Sequence, residues 1–441
     1  MDLAGKSVIV VGLGKSGVSA ARLCRDRGAR VVGTDSAPLG ELSPEARGLD
    51  IEVRGGGHAG IAFETADLVV VSPGVPPLGE LARAAEAGAE VIGELELACR
   101  FLEAPIVAIG GTNGKSTTTK LVAEILEAAE RRVFVGGNYG TPAADAVGKA
   151  WDAVVLEVSS FQLERAPRFH PKVSVLLNVT EDHLDRYTSF VAYAEAKGNA
   201  FVNQERGDTA FVPFGDAICE EQAMRGEGDI LTFGDGDYAV EGGIVTEAKS
   251  GEAFDLASAR LYGRHNHDNA AAAIGAARAL GVRPEAVRRA LAAFEPLPHR
   301  MALVGELQGV RFYDDSKGTN VGAAVTALRG MGEAHGVLIA GGRDKHGSYA
   351  PLTEALRERG RAVVLIGEAA MRIAAAVEGA LPVEHAGSME DAVRRAFRLA
   401  QPGDAVLLSP ACSSFDMFKG YADRGDHFRR AVLALEAKVM S

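Results

Sequence analysis

Short runs of apolar, mostly β-branched residues recur along the chain, and stretches rich in alanine and leucine separate them. Continuous apolar runs of about four to seven residues are typical of strands that are buried on both faces of a parallel sheet, with crossover helices between them. The strands predicted in this way are residues 7–11, 30–33, 68–71, 105–109, 153–158, 173–179, 337–340, 362–366 and 405–408. The pattern therefore predicts an α/β fold.

Two interruptions divide this pattern. One lies near Gly93, before the helical segment 94–103, and the other is segment 294–300, where two prolines break a helix-rich stretch. Residues 205–262 are rich in Gly and Asp and alternate only weakly, so we expect a small antiparallel excursion or surface elaboration there. A length of 441 residues agrees with about three domains. The predicted domains are residues 1–93, 94–297 and 298–441.

Composition and charge narrow the class of protein. The apolar and charged fractions, 47% and 24%, are those of a globular protein, and a net charge of −12 provides no overall field that would attract a nucleic acid. No apolar run reaches about 18 residues and the N-terminus lacks signal-peptide features, so we expect a cytoplasmic protein without a membrane partner. The four cysteines are far apart in sequence, which is typical of reduced thiols.

A glycine-rich segment, residues 111–117, follows a predicted strand and precedes a predicted helix over 115–130. In that context free backbone N–H groups and the helix N-terminus bind phosphate. Lys115 would neutralise the β- and γ-phosphates, and the Ser116 hydroxyl would reach Mg²⁺. Because Ile109 occupies the first glycine position of the G-x-x-x-x-G-K-[ST] pattern, we expect a shorter or variant loop. The alternative is a glycine-rich turn that binds nothing.

Acidic and imidazole side chains follow two further predicted strands. Glu157 lies at the end of one strand, and Asp182 and His183 follow the next. Ligands bind at the carboxyl ends of strands in open α/β sheets, and Mg²⁺ takes only a few protein oxygens beside substrate phosphates. The alternative for each residue alone is a capping or solvated loop position, but a phosphate loop beside both favours a metal site.

The first predicted strand leads into Gly12-Leu13-Gly14-Lys15-Ser16-Gly17, and Asp35 follows the second. This G-x-G-x-x-G pattern with a later acid is typical of dinucleotide binding and by itself indicates a NAD-dependent dehydrogenase. However, the unit ends near Gly93, which leaves little room for a second mononucleotide-binding half, and another phosphate loop begins at Gly111. A nucleotide-diphosphate substrate explains both features, with Ser72-Pro73-Gly74 as another wall of its site.

Three later clusters are strongly polar. Residues 263–269 lead into an alanine-rich helix, where we expect asparagines to cap the helix and contact a base. Residues 313–320 carry an acid, a base and hydroxyls, and residues 409–416 follow the last predicted strand. Within the last cluster, we expect Cys412 to be a structural thiol and not a nucleophile.

The order and spacing of these motifs, together with Leu297-Pro298-His299-Arg300, resemble those of the Mur ligases. These are ATP-dependent, amide-forming enzymes of peptidoglycan synthesis, and the resemblance runs from about residue 5 to the last helix. It implies a UDP-binding Rossmann-like domain, a central P-loop ATPase domain and a C-terminal Rossmann-like domain that binds an amino acid. It further implies addition of D-glutamate to UDP-N-acetylmuramoyl-L-alanine through an acyl phosphate, with release of ADP and phosphate.

The resemblance also implies the roles of individual residues. The ATP site would contain Gly111, Thr112, Asn113, Gly114, Lys115, Ser116, Thr117, Asn266, Asn269, Arg300 and Asp315. Two Mg²⁺ ions would be held by Ser116, Glu157, His183 and Lys197, the last carbamylated by CO2. The catalytic residues would be Lys115, His183, Lys197 and Lys317. The UDP-substrate side would contain Lys15, Ser16, Asp35, Ser36, Gly74, Asn138 and His183. The D-glutamate pocket would contain Thr319, Lys345, Ser414, Phe415 and Tyr421.

Two positions depart from the usual family pattern, since Gly110 stands in place of Thr and Tyr421 in place of Phe. The alternatives are a sister ligase for another amino acid, a folate-polyglutamate ligase, a NAD-dependent oxidoreductase and a catalytically silent binding protein. An oxidoreductase leaves the second phosphate loop unexplained, and a silent protein conflicts with the retained lysine, acid and histidine. By analogy with the family we expect a monomer.

Overall fold

The computed structural model describes residues 1–182, 186–344 and 347–440. It contains three sheets, each formed by one continuous part of the chain, with helices packed against them. This three-domain α/β architecture confirms the predicted fold class. Within the described residues, no helix combines the length and the apolar character that crossing a bilayer requires.

The first sheet is entirely parallel and has the strand order β3-β2-β1-β4-β5. Its strands are β1 (Ser7–Val11), β2 (Arg30–Thr34), β3 (Glu52–Arg54), β4 (Leu68–Val71) and β5 (Glu90–Gly93). The helices of this part are α1 (Lys15–Asp26), α2 (Pro44–Arg47) and α3 (Gly79–Glu86). Gly17 allows α1 to start close to the end of β1, because a Cβ there would lie 1.8 Å from the carbonyl oxygen of Gly12.

The central sheet has nine strands in the order β14-β13-β12-β11-β10-β9-β6-β8-β7. They are β6 (Ile106–Gly110), β7 (Val133–Gly137), β8 (Ala153–Glu157), β9 (Val173–Leu176), β10 (Thr209–Pro213), β11 (Asp229–Gly234), β12 (Tyr238–Glu241), β13 (Ile244–Glu247) and β14 (Ala253–Asp255). The helices are α4 (Glu94–Cys99), α5 (Lys115–Ala128), α6 (Ser160–Leu163), α7 (Phe190–Gly198), α8 (Ala217–Ala223), α9 (Arg264–Ala279) and α10 (Pro284–Ala293).

The segment 205–262 was expected to be an antiparallel excursion, and this is correct only for β12, β13 and β14. The prediction is wrong for β10 and β11, which continue the parallel sheet from β9. Each strand has only a short apolar run, residues 210–212 in β10 and 230–231 in β11, and Gly and Asp lie around them. Burial nevertheless orders β10, where Phe211 and Val212 are fully enclosed.

The third sheet has the order β15-β16-β20-β17-β18-β19 and is parallel except at the pair of β15 and β16. Its strands are β15 (Ala302–Leu307), β16 (Val310–Asp314), β17 (Gly336–Gly341), β18 (Gly360–Ile366), β19 (Val383–His385) and β20 (Ala405–Leu408). The helices are α11 (Val321–Gly330), α12 (Ala350–Arg359), α13 (Ala370–Ala376), α14 (Met389–Leu399) and α15 (Tyr421–Met440).

The apolar cores do not follow the three sheets one by one. One continuous core joins Val8 and Leu68 of the first sheet to Ala108 and Val154 of the central sheet, with α4 between them. The cores on the two faces of the third sheet contain, among the described residues, only side chains from residue 301 onwards. The first two domains are therefore fused by packing, whereas the third domain has cores of its own.

Candidate functional site

The segment 111–117 forms a tight loop between β6 and α5, as the sequence predicts. Gly111 and Gly114 have positive φ angles of 138° and 88°. Position 114 requires glycine for two reasons: its φ is positive, and a Cβ there would lie 2.3 Å from Oδ1 of Asn269. The α5 helix begins at Lys115, which places its N-terminal N–H groups at the loop. This geometry is that of a phosphate-binding loop.

Two lysines meet at this loop. The Nζ atom of Lys115 donates to the carbonyl oxygens of Gly111 and Thr112, at 2.8 and 2.9 Å. Lys197, from α7, also donates to Gly111 O, at 2.9 Å. Burial lowers the pKa of the Lys115 amine, and it holds the pKa of Lys197 well below its usual range, with repulsion from Lys115 adding to the shift. The loop thus brings together two amines with lowered pKa values, and the pKa of Lys197 is lowered further than that of Lys115.

A carboxylate lies directly beside the loop. The Ser116 hydroxyl donates to Oε2 of Glu157 at 2.5 Å, and the Asn138 amide donates to Oε1 of the same group at 2.7 Å. Glu157 is buried at the end of β8. Asn138, predicted on the UDP-substrate side, therefore lies next to the predicted metal ligand.

The donors present fit Mg²⁺. In the ranges that the structure describes, no group of three or more His, Cys, Asp or Glu side chains could enclose a metal ion. A hydroxyl and one carboxylate are the few hard oxygen ligands that Mg²⁺ uses when substrate phosphates and water supply the rest. His183, the other predicted ligand, falls in the segment 183–185, outside the described residues.

A cleft with about 450 Å³ of empty space opens between the loop and the third domain. The side facing it from the central domain includes Asn113, Gly114, Thr117, His265, Asn266 and Asn269. The side from the third domain includes Arg300, Asp315, Lys317, Gly318, Ala323 and Thr326. The structure thus brings together residues far apart in sequence that were assigned to one ATP site.

The asparagines of α9 line this cleft, but they do not cap the helix as expected. The helix begins at Arg264 and makes no side-chain capping hydrogen bond. Asn266 donates from within the first turn to the carbonyl oxygen of Tyr262 at 2.7 Å, and Asn269 donates to Asn266 Oδ1 at 3.2 Å. The capping prediction is wrong because Gly263, with a φ of 90°, already supplies the turn into the helix. Both amides are left facing the cleft.

The third domain contributes a half-buried acid to the cleft. Oδ2 of Asp315 accepts a hydrogen bond from the Ser409 hydroxyl at 2.7 Å. Burial raises the pKa of Asp315 to about 7, against the opposing effect of the Arg300 charge and the Ser409 hydrogen bond. Nearby, Nζ of Lys317 lies 4.2 Å from the centre of the Tyr421 ring. A cation is therefore held against an aromatic wall beside the cleft.

Of the residues predicted for D-glutamate, Thr319 follows β16, whereas Ser414, Phe415 and Tyr421 follow β20. The backbone N–H of Thr319 donates to Lys317 O at 2.8 Å, and Tyr421 begins α15. Ser414 is buried, whereas Phe415 is 64% exposed and so does not form a closed wall here. Lys345 lies outside the described residues, with His346 beside it. Cys412 is fully buried and burial raises its pKa to about 11, which agrees with a structural thiol.

The first domain offers a separate edge at the carboxyl ends of β1 and β4, where the strand order changes direction. Lys15, Ser16, Ser36 and Gly74 are exposed or half-buried along this edge. Asp35 acts within the protein instead: its carboxylate accepts from the backbone N–H of Leu13 at 2.7 Å and from that of Ala37 at 2.9 Å. The acid therefore ties the glycine loop to the turn after β2.

Three family models match the chain in the same order as the sheets. They are described as Mur ligase MurD-like, N-terminal domain, over residues 6–93; Mur ligase middle domain, over 109–277; and Mur ligase, glutamate ligase domain, over 299–412. A UDP-N-acetylmuramoylalanine--D-glutamate ligase from Desulfosudis oleivorans is 45% identical, covering 99% of this chain and 98% of that protein. The chain belongs to the Mur ligase family. A ligase of the same name from Geobacter metallireducens is 46% identical, with 99% of both chains covered.

Solved structures of Mur ligases share the fold at much lower identity. UDP-N-acetylmuramate-alanine ligase MurC from Thermotoga maritima has a TM-score of 0.58 and 18% identity, covering 97% of this chain and 99% of that chain. MurF ligase from Thermotoga maritima, in complex with ADP, has a TM-score of 0.60 and 17% identity, covering 98% and 96%. The three-domain architecture of this Mur ligase is thus found in other solved structures.

One buried residue of this Mur ligase was missed by the sequence analysis. Arg424 on α15 is 1% exposed, and its guanidinium donates to Ser316 Oγ and O and to Cys412 O, at 2.8 to 3.1 Å. The Ser316 hydroxyl in turn donates to Tyr421 O at 2.8 Å. No carboxylate among the described residues lies within 4.0 Å of this guanidinium. Its position, three residues after Tyr421 in the same helix, was the only signal in the sequence.

Proposed function

We propose that this Mur ligase uses ATP to join D-glutamate to the carboxyl group of UDP-N-acetylmuramoyl-L-alanine, releasing ADP and phosphate. The supporting observation is near-full-length identity of about 45% to relatives that carry that name. The cleft agrees with it, because the glycine-rich loop of the central domain and the cationic side chains of Arg300 and Lys317 from the third domain line the same space.

The reaction has two steps. A carboxylate is a poor acyl donor, so its oxygen first attacks the γ-phosphorus of ATP, and ADP leaves. The amine nitrogen then attacks the acyl carbon, loses a proton, and phosphate leaves as the amide forms. Negative charge gathers on the transferring phosphoryl group, so fixed cations provide most of the stabilisation that the protein can supply.

The residues around the loop suit these steps. Lys115, already held at the loop by two carbonyl oxygens, would bind the phosphates, and Arg300 and Lys317 would approach from the third domain. Ser116 and Glu157, with His183 by resemblance, would hold Mg²⁺. When bound, the ion would add positive charge beside the phosphates. Asn266 and Asn269 would contact the adenine side.

Lys197 is proposed to carry a carbamate that holds the second Mg²⁺. Its amine is buried and its pKa is held well below the usual range, which favours the neutral form. A neutral amine can attack CO2, form a C–N bond and lose one proton, which leaves a carbamate anion. A low pKa would not help a lysine whose role was only to form a structural ion pair, because such a pair needs the charged amine.

The remaining assignments extend this proposal to the other substrates and to the domains. The exposed edge of the first domain would bind the UDP moiety through Lys15, Ser16, Ser36 and Gly74. Asp35 would hold the backbone of this edge in place through its hydrogen bonds to two backbone N–H groups. The loops that carry Thr319, Lys345, Ser414, Phe415 and Tyr421 would bind D-glutamate. Domain boundaries at 93/94 and 297/298 would then separate the UDP-binding, ATP-binding and amino-acid-binding parts, with the chain acting as a cytoplasmic monomer.

Phosphate release from ATP and Mg²⁺ tests this proposal directly. UDP-N-acetylmuramoyl-L-alanine is supplied, and D-glutamate, L-glutamate, L-lysine and diaminopimelate are offered in turn. We expect release with D-glutamate and amide product in equal amount. Release only with another amine would contradict the amino-acid assignment and support a sister ligase. No release with any amine, together with tight NADH binding, would support an oxidoreductase instead.

A further inference from the structure

Helix α11 of the third domain lies along the nucleotide cleft, where Ala323 and Thr326 face the empty space. Both of its ends approach the central domain. A Cβ at Gly322, in its first turn, would lie 2.8 Å from Oγ1 of Thr180. A Cβ at Gly330, its last residue, would lie 2.7 Å from Nδ1 of His265. The helix can approach this closely only because both positions lack a side chain.

Asn320, which precedes α11, uses the two halves of its amide for different purposes. Its Oδ1 accepts from the backbone N–H of Ala323 at 2.7 Å and so caps the helix. Its Nδ2 donates across the cleft to Asp182 Oδ2 at 3.0 Å and to Asn113 Oδ1 at 3.3 Å. The cap is local to the third domain, whereas both donated bonds reach the central domain.

The acceptor on the phosphate loop is itself held firmly. The backbone N–H of Asn113 donates to Oδ1 of Asn178 at 2.9 Å, and the Asn178 amide donates back to Asn113 O at 3.1 Å. Asn178 follows β9, the strand next to β6 in the central sheet. A chain of hydrogen bonds therefore runs from Asn178, after β9, through Asn113 in the phosphate loop to Asn320, the residue before α11.

We propose that Asn320 is a positioning residue that fastens α11 to the phosphate loop and the neighbouring Asp182. This inference rests on the function proposed above. The contact holds the amino-acid-binding loops in register with the site of phosphoryl transfer and keeps water out while an acyl phosphate is present. Gly322 and Gly330 serve the same contact by giving the helix room to dock.

Asn320→Asp separates the two uses of the side chain. The carboxylate keeps an oxygen for the cap, and aspartate is among the best N-cap residues, so a purely capping role predicts no loss. The exchange replaces the donor with a negative oxygen facing Asp182. We expect kcat/KM for D-glutamate to fall about 10- to 100-fold, the range for losing a hydrogen bond to a charged group. We also expect phosphate release to exceed amide formation, because water then hydrolyses the acyl phosphate.

Gly322→Ala tests the same contact from the other side. Alanine favours the helix but places a methyl group against Thr180, so we expect the same excess of phosphate over amide. Gly332→Ala is the matched control, because a Cβ there meets nothing within 4 Å. Equal amounts of phosphate and amide in Asn320→Asp and Gly322→Ala would overturn the proposal.

A second readout does not depend on ligase activity. X-ray scattering reports whether the radius of gyration falls when a non-hydrolysable ATP analogue and Mg²⁺ are added. We expect the wild type and Gly332→Ala to contract more than Asn320→Asp and Gly322→Ala. Equal contraction in all four proteins would refute the role of Asn320 even if the wild type formed an amide. A wild type that contracts but forms no amide would instead refute the proposed function.

Discussion

At the scale of single residues, the two lysines of α5 have different surroundings. Lys115 lies at the start of α5, at the loop that we propose binds phosphate. Lys120 lies on the same helix but pairs with Glu124. We expect Lys115→Ala to abolish acyl-phosphate formation while UDP-substrate affinity stays within about twofold, because the two sites lie on different sheets. Phosphate release and calorimetric titration measure the two effects. Lys120→Ala is the control, and wild-type turnover in Lys115→Ala would refute the assignment.

Lys197 offers a chemical test of the proposed carbamate. We expect Lys197→Ala to lose most of its turnover, about 100-fold or more, and to recover part of it when acetate or formate is added. A short carboxylate can enter the space that the side chain leaves and supply the missing negative oxygen. Turnover is measured against the concentration of added carboxylate. An unchanged rate in Lys197→Ala would remove this residue from the site.

Glu94, at the start of α4, makes stability depend on pH. It is 1% exposed, and burial raises its pKa to about 7. Oε1 accepts from the Ala144 N–H, whereas Oε2 has no hydrogen-bond partner among the residues that the structure describes. The folded protein therefore holds this proton more tightly than the unfolded chain, so stability is lost as pH rises from about 4.5 through 7. Between these pH values, the free energy of unfolding of Glu94→Gln should fall by up to about 3 kcal/mol less than that of the wild type. Denaturant unfolding measures both. Parallel pH profiles of the two proteins would contradict this.

At the scale of elements, the close approach of α1 to the end of β1 requires a glycine at position 17 but not at position 14. A Cβ at Gly17 would collide with Gly12 O, whereas a Cβ at Gly14 would meet nothing within 4 Å. We expect Gly17→Ala to lower the free energy of unfolding by about 2 kcal/mol and Gly14→Ala to change it by less than about 0.5 kcal/mol. Urea unfolding compares them. Equal stability of both variants would show that the turn can relax.

Strands with strong apolar runs could be predicted from the sequence to within a few residues, but their ends could not. The strand predicted over 173–179 ends at Leu176. The N–H of Leu177 still donates to Gly110 O at the end of β6, but the carbonyl of Asn178 accepts from Thr112 N–H in the phosphate loop. The helix predicted over 94–103 ends at Cys99, and strand β6 begins at Ile106. At the end of β9 a long-range contact, which a local pattern does not show, decides the boundary.

The candidate site shows the same limit more clearly. The phosphate loop and Glu157 could be predicted because each follows a strong strand. The bonds of Asn320 to Asp182 and of Arg424 to Cys412 depend on how separate elements and domains meet, which periodicity does not encode. Asn138 had been assigned to the UDP side, and only the pairing of β7 with β8 shows it beside Glu157.

At the scale of the whole molecule, the shared apolar core makes two of the three domains one body. The third domain is joined to them through segment 294–300 and polar contacts across the cleft. We expect calorimetry to show two unfolding transitions and not three, since the first two domains lose their common core together. An ATP analogue with Mg²⁺ should raise the temperature of the third domain's transition, because under the proposed function it would contact both sides of the cleft. Three separate transitions would contradict this.

The core that joins the first two domains also fixes the distance between their two proposed binding sites. The edge proposed for uridine diphosphate and the phosphate loop cannot move apart without opening packed side chains such as Val8 and Ala108. Under the proposed function, only a nucleotide-linked acid of matching length would place its carboxylate at the γ-phosphorus of ATP. Specificity for the nucleotide substrate would lie in this span as much as in any contact with the base, and a shortened substrate would lose rate before it loses affinity.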